Sequence, residues 1–123
     1  MITLSIVIPI YNEQETLPLL CKHLNAEIDG IKNELGGQGA LKTTPQIEIL
    51  FINDGSTDGS PLIIESIVKT NSVYRHISLS RNFGHQAAVS AGIQSARGSA
   101  VVVMDGDLQD PPELIPGLLR AQA

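Results

Sequence analysis

The sequence predicts an α/β domain built on a mainly parallel sheet, and three observations carry that prediction. Short apolar runs rich in β-branched residues alternate with segments whose apolar residues recur every three or four positions. The clearest runs are apolar at nearly every position, as a strand buried on both faces must be. A polar cluster follows each run directly, on the side where parallel sheets bind their ligands.

The elements follow in the order β-α-β-α-β-α-β-α. Ile2 to Ile10 is the first strand, with Pro9 near its end, where a missing N–H costs little. Leu17, Leu20, Cys21, Leu24, Ile28, Ile31 and Leu35 form one face of the first helix. Gly36-Gly37-Gln38-Gly39 ends it, and Gly36 to Gln46 reads as a surface loop. Ile47 to Ile52 is the second strand, and Asn53 to Ser60 is a turn cluster. Pro61 to Thr70 is the second helix, with proline in its first turn. Val73 to Leu79 is the third strand. Phe83 to Ala96 is the third helix, whose small residues Ala87, Ala88, Ala91, Gly92 and Ala96 suit close packing on a sheet. Ser99 to Met104 is the fourth strand. A fourth helix starts at Asp110-Pro111-Pro112-Glu113, with Asp110 as its cap.

Composition removes several classes of function. With 42% hydrophobic and 17% charged residues the chain is not a disordered one. Eight Lys and Arg against 13 Asp and Glu give a net charge of −5, which is wrong for a face that grips nucleic-acid phosphates. The single cysteine, Cys21, excludes an internal disulfide and a multi-cysteine zinc site, and its neighbours Leu20 and Leu24 make it a buried thiol. The start, Met1 to Pro9, has no basic stretch of a secretory leader, and no apolar run approaches the roughly 18 residues of a membrane span. A cytoplasmic protein, at most peripheral to a membrane, is expected.

The polar clusters lie on one rim: Tyr11-Asn12-Glu13, Asp54-Gly55-Ser56, Ser80-Arg81-Asn82 and Asp105-Gly106-Asp107. Asp105 and Asp107 are two apart at a strand end, so extended chain points them the same way. Two converging carboxylates repel unless a cation lies between them, and oxygen ligands select a hard ion. A solvated turn is the competing reading of the same residues. Asp54 suits a ribose hydroxyl or a base N–H, or else only a helix-entry turn. Glu13 has the same two readings, and Tyr11 offers a flat face to a base or merely packs. Arg81 stands on the rim, either toward a diphosphate or in a salt bridge to a rim Asp. His85 reads as a cap or surface residue before a base, and His23 and His76 have no partner in sequence. Fingerprints for dinucleotide binding, for a P-loop and for a hydrolase elbow are all missing.

Ile6-Val7-Ile8-Pro9-Ile10-Tyr11-Asn12-Glu13, Asn53-Asp54-Gly55-Ser56-Thr57-Asp58-Gly59 and Met104-Asp105-Gly106-Asp107 together resemble the N-terminal half of family 2 glycosyltransferases of the GT-A, Rossmann-like fold. Ser80-Arg81-Asn82-Phe83-Gly84-His85-Gln86 and Asp107-Leu108-Gln109-Asp110-Pro111-Pro112-Glu113 resemble the polyprenyl-phosphate branch, which includes dolichol-phosphate mannosyltransferases and bactoprenol glucosyltransferases. The resemblance implies transfer of a sugar from a nucleotide-sugar donor to polyprenyl phosphate with inversion. It also leaves a family 2 enzyme with a saccharide acceptor, or a non-catalytic nucleotide-binding piece. It implies that Pro9, Tyr11, Glu13, Ile52, Asp54, Asp105, Gly106 and Asp107 bind the nucleotide sugar. Asp105, Asp107 and Gln109 would hold Mg2+ or Mn2+. Asn53 stands where many members have a second Asp, and the loop near Gly36 to Pro45 is longer than usual.

On this resemblance residues 1–123 are the donor-binding part of a truncated GT-A domain. Acceptor-side catalytic residues are expected after Ala123. The chain alone is therefore expected to transfer little sugar and to self-associate through an uncovered sheet edge. A full-length parent would work at the cytoplasmic face of a membrane.

Overall fold

Seven consecutive residues, Leu4–Ile10, are all buried and form strand β1. The computed structural model describes residues 2, 4–37 and 46–105. Within them the order continues as α1 (Leu17–Gly37), β2 (Ile47–Asn53), α2 (Ser60–Thr70), β3 (Tyr74–Ser78), α3 (His85–Ser95) and β4 (Ala100–Val103). The expected elements stand, with ends moved by one or two residues. Ile2 is not part of β1, although its carbonyl accepts the Ser99 N–H at 3.3 Å. Helix α1 runs through Gly36 and Gly37, because two glycines lower helix propensity without forbidding the helix. The expected loop otherwise falls on 38–45, and the expected fourth helix from Asp110 falls beyond 105; both lie outside the described residues.

All pairing is parallel, in the order β3-β2-β1-β4. The chain steps outward from β1 to β3 and then returns to β4 across the sheet. Crossovers of one hand must then lie on opposite faces. Accordingly, Ile6, Ile8, Ile49 and Phe51 pack under α1 and α2 with Leu20, Leu24 and Ile64. Val7, Leu50 and Ile52 face Ala88 of α3 on the other side. This two-sided burial is why the runs are apolar at every position. Gly92 is where α3 lies closest: a Cβ there would stand 2.2 Å from Val7 Cγ1. Ala88, Ala91, Gly92 and Ala96 thus meet a packing requirement, whereas Ala87 is exposed.

Pro9 shapes the upper end of the sheet. Val7 accepts the Met104 N–H at 3.0 Å, and the β1–β4 register ends at Val7↔Val103. The next rung on that side would need an N–H from residue 9, which proline lacks. β1 still pairs with β2 as far as Ile10↔Asn53. Beyond Val7 the sheet is therefore closed on the β2 side and open on the β4 side.

Candidate functional site: a carboxylate-lined cleft at the strand ends

The chain leaving β1 is tied to the chain leaving β2. Asn12 adopts a φ of 53°, a left-handed conformation that asparagine tolerates better than most residues. From there its Oδ1 accepts the N–H groups of Thr57 at 2.8 Å and Asp58 at 3.2 Å. The Asn12 N–H donates to Ser56 Oγ at 3.0 Å and the Glu13 N–H to Ser60 Oγ at 2.9 Å. Gln14 completes the tie, donating its N–H to Asp58 Oδ2 and accepting the Gly59 N–H at 2.7 Å. Asp58 also accepts the Ser60 N–H at 2.9 Å, two residues on at the start of α2. The little burial it has would raise its carboxyl, but the hydrogen bonds from Ser60 and Gln14 outweigh that and hold it below the usual carboxylate range.

A second tie joins the end of β2 to the chain between β3 and α3. Asp54 accepts the Phe83 N–H at 2.8 Å on Oδ1 and the Gly84 N–H at 3.1 Å on Oδ2. Asn82 Nδ2 donates to Oδ2 at 3.2 Å and to the Asp54 carbonyl at 3.1 Å.

Between these ties lies a cleft of about 490 Å³. Pro9, Ile10, Tyr11 and Glu13 line it from β1, Asp54 from β2, Asn82, Gly84 and His85 from the approach to α3, and Asp105 from β4. Three carboxylates thus border it, and among the described residues its lining holds neither Lys nor Arg. No group of three or more His, Cys, Asp or Glu side chains that could hold a metal ion comes together among the described residues.

Five of the expected site residues converge here: Pro9, Tyr11, Glu13, Asp54 and Asp105. Ile52 lies elsewhere. It is fully buried under α3 with Val7, Leu50 and Ala88 and does not line the cleft. Gly106, Asp107 and Gln109 lie outside the described residues. Arg81 does not line the cleft; its guanidinium stacks 4.6 Å over the Phe83 ring. His85 is exposed at the first turn of α3 and lines the cleft, while His23 and His76 are exposed elsewhere. Cys21 is buried as expected, and burial pushes its thiol up to about 11 against a lowering hydrogen bond with Tyr74.

Asn12, Ser56, Asp58 and Asn82 tie the loops of the site together; in sequence they stood only within the polar clusters and motifs, with no role of their own. Each is a short polar residue in a turn cluster, the type that satisfies backbone N–H groups. Which loop each would tie to depends on the strand order, which no local pattern encodes.

An open parallel sheet with its cleft over the strand ends defines a class of nucleotide-type α/β folds. The fold is GT-A. Its likeness to the mannosyltransferase PcManGT of Pyrobaculum calidifontis, solved in complex with GDP-Man and Mn2+, has a TM-score of 0.69 at 20% identity, over 98% of this chain and 32% of that one. S. aureus TarS 1-349, in complex with UDP-GlcNAc, matches with a TM-score of 0.67 at 21% identity, over 86% of this chain and 27% of that one.

Residues 5–123 match the family model for glycosyl transferase family 2, and the chain belongs to that family. It is 36% identical over 117 residues to a prophage bactoprenol glucosyl transferase homolog of Escherichia coli K12, covering 95% of this chain and 34% of that protein. It is 38% identical over 118 residues to an undecaprenyl-phosphate 4-deoxy-4-formamido-L-arabinose transferase of Aeromonas hydrophila, covering 95% of this chain and 32% of that protein. The chain therefore spans about a third of the length of these curated relatives.

Proposed function

We propose that this chain is the donor-binding part of an inverting glycosyltransferase that moves a sugar from a nucleoside diphosphate to polyprenyl phosphate. The relatives named for bactoprenol and undecaprenyl phosphate support the acceptor class. The observation that carries the donor assignment is the cleft itself. It lies over the strand ends, with a half-exposed tyrosine ring and three carboxylates around it. Tyr11 would lie against the base, and Pro9 and Glu13 would border the nucleoside. Asp54 would shape the floor by holding the neighbouring loop in place.

Asp105 would serve the diphosphate end. A diphosphate entering a cleft bordered by Glu13, Asp54 and Asp105, with no Lys or Arg from the described lining, meets like charge that a cation would offset. That donor set fits a hard divalent ion held by one or two carboxylates and completed by phosphate oxygens. Asp105 would hold it, and Asp107 and Gln109 are proposed beside it. When bound, Mg2+ or Mn2+ supplies positive charge to the departing diphosphate. In the transfer, a lipid phosphate oxygen forms a bond to the anomeric carbon. The bond from that carbon to the donor diphosphate breaks, and its electron pair leaves with the nucleoside diphosphate. The residues described here would fix the donor for that displacement.

No helix among the described residues is long and apolar enough to cross a membrane. A lipid-phosphate acceptor would bring the protein to the cytoplasmic face of one. Calorimetric titration with UDP-glucose and GDP-mannose in Mn2+ tests the donor assignment. Saturable binding of one of them is expected. Absence of binding by a folded sample, with these and the other common nucleotide sugars, would remove it.

A further inference from the structure

Asp54 directly follows a buried strand, is 3% exposed, and commits both carboxylate oxygens to one short stretch of chain. Oδ1 takes the Phe83 N–H and Oδ2 takes the Gly84 N–H and the Asn82 side-chain amide. Only an acceptor on both oxygens satisfies that set. An asparagine in its place would turn an NH2 donor toward another N–H donor.

The next residue fits the same purpose. Gly55 has a φ of 72°, and a Cβ there would stand 2.3 Å from Asn82 N and 2.4 Å from Arg81 C. The backbones of the two loops therefore touch, and a side chain at residue 55 would drive them apart. Gly84, with a φ of 105°, then bends the chain into α3, so His85 is placed by what holds Gly84. Asn82, Gly84 and His85 are together one wall of the cleft.

We infer that Asp54 is a positioning residue: it clamps residues 82–84 as a wall of the cleft, and its effect on a bound nucleotide runs through that wall. The nucleotide half of this statement rests on the function proposed above. The clamp itself does not.

The test has an arm without ligand and an arm with it. In the ligand-free chain, amide exchange at Phe83 and Gly84 is expected to speed up at least tenfold in Asp54→Asn, with the amides of β1 unchanged. Unchanged exchange at Phe83 and Gly84 overturns the clamp. In the second arm UDP and GDP are titrated, each with Mn2+. Gly55→Ala keeps the carboxylate and displaces the wall, so it should weaken binding at least tenfold, as Asp54→Asn does. Asn82→Ala should weaken binding several-fold, and the Asp54→Asn, Asn82→Ala double variant should bind no worse than Asp54→Asn alone. If Gly55→Ala does not fold, Asn82→Ala and the double variant carry this arm. Wild-type affinity in Asn82→Ala and in any folded Gly55→Ala, beside a loss in Asp54→Asn, would mean that Asp54 acts by direct contact and would overturn the inference. Should the wild-type chain bind neither nucleotide, the proposed function fails on its own, and amide exchange alone decides the clamp.

Discussion

Strand β2 carries one buried carboxylate near each of its ends, and the two are answered differently. Glu48, 4% exposed, sits at the lower end. It accepts Ser5 Oγ at 2.5 Å, the Arg97 N–H at 2.7 Å and Arg75 Nε at 2.8 Å, and it pairs ionically with Arg75 at 2.8 Å. Ser5 Oγ in turn accepts the Gly98 N–H, and Arg75 reaches the Ser95 carbonyl. Asp54, just past the upper end, is as buried, yet the donors that hold it are two backbone N–H groups and a side-chain amide. Both carboxylates pin a loop to the sheet. Of the two, only Glu48 is paired with a cation among the described residues. Asp54 keeps its negative field, beside Glu13 and Asp105, on an open cleft. The neutralised lower end reads as scaffold, and the anionic upper end is where a cation and a ligand are proposed.

The contrast can be broken by substitution at either end. The largest effect belongs to the scaffold: Glu48→Ala leaves Arg75, the Arg97 N–H and the Ser5 hydroxyl without their partner. It should lower the unfolding free energy by about 3 kcal/mol, read from urea melts. The nucleotide affinity of the folded fraction should stay within twofold. At the cleft, Asp105→Ala should weaken Mn2+-dependent binding of a nucleoside diphosphate by about 2 kcal/mol, roughly thirtyfold, and leave the urea midpoint unmoved. A midpoint shift without an affinity change would make Asp105 a structural residue. Tyr11 is 45% exposed, so Tyr11→Ala should cost about 1 kcal/mol of nucleotide affinity and almost no stability.

The smallest effect is in acid. Burial alone would raise the Glu48 carboxyl, but the bonds from Ser5, Arg97 and Arg75 outweigh it and leave it below its ordinary value of 4.5. A lowered carboxyl stabilises the fold fully above that ordinary value and loses its contribution as pH falls through the lowered one. Melting temperature should therefore decline below pH 4.5, more steeply in wild type than in Glu48→Gln. Equal slopes would mean that other carboxylates dominate acid unfolding.

The strands were legible because their signal is local: Leu4 to Ile10 and Ile47 to Ile52 are apolar almost throughout, and burial on both faces requires that. The rim was legible too, since parallel strands with helical crossovers put every following turn on one side. Ser5 and Glu48, polar residues inside those apolar runs, were a visible signal of a buried polar network, for a buried charge must be paired. Their partner Arg75 was not, because it arrives from the third strand through the sheet order. The partners of Asp54 were hidden for the same reason: Asn82, Phe83 and Gly84 are almost thirty residues on, and the tie exists only because β3 lies beside β2. Ile52 shows the opposite failure. A residue next to the rim in sequence can point into the core, and strand alternation sends this one under α3.

The claim at the centre of this account is that the cleft at the upper strand ends, bordered by Glu13, Asp54 and Asp105, is a metal-dependent nucleotide site. Calorimetric titration of UDP and GDP into the folded chain, once with Mn2+ and once with EDTA, tests it most directly. Saturable binding with Mn2+ that disappears in EDTA and in Asp105→Ala, but persists in Glu48→Gln, is the predicted result. Equal affinity with Mn2+ and with EDTA would contradict it.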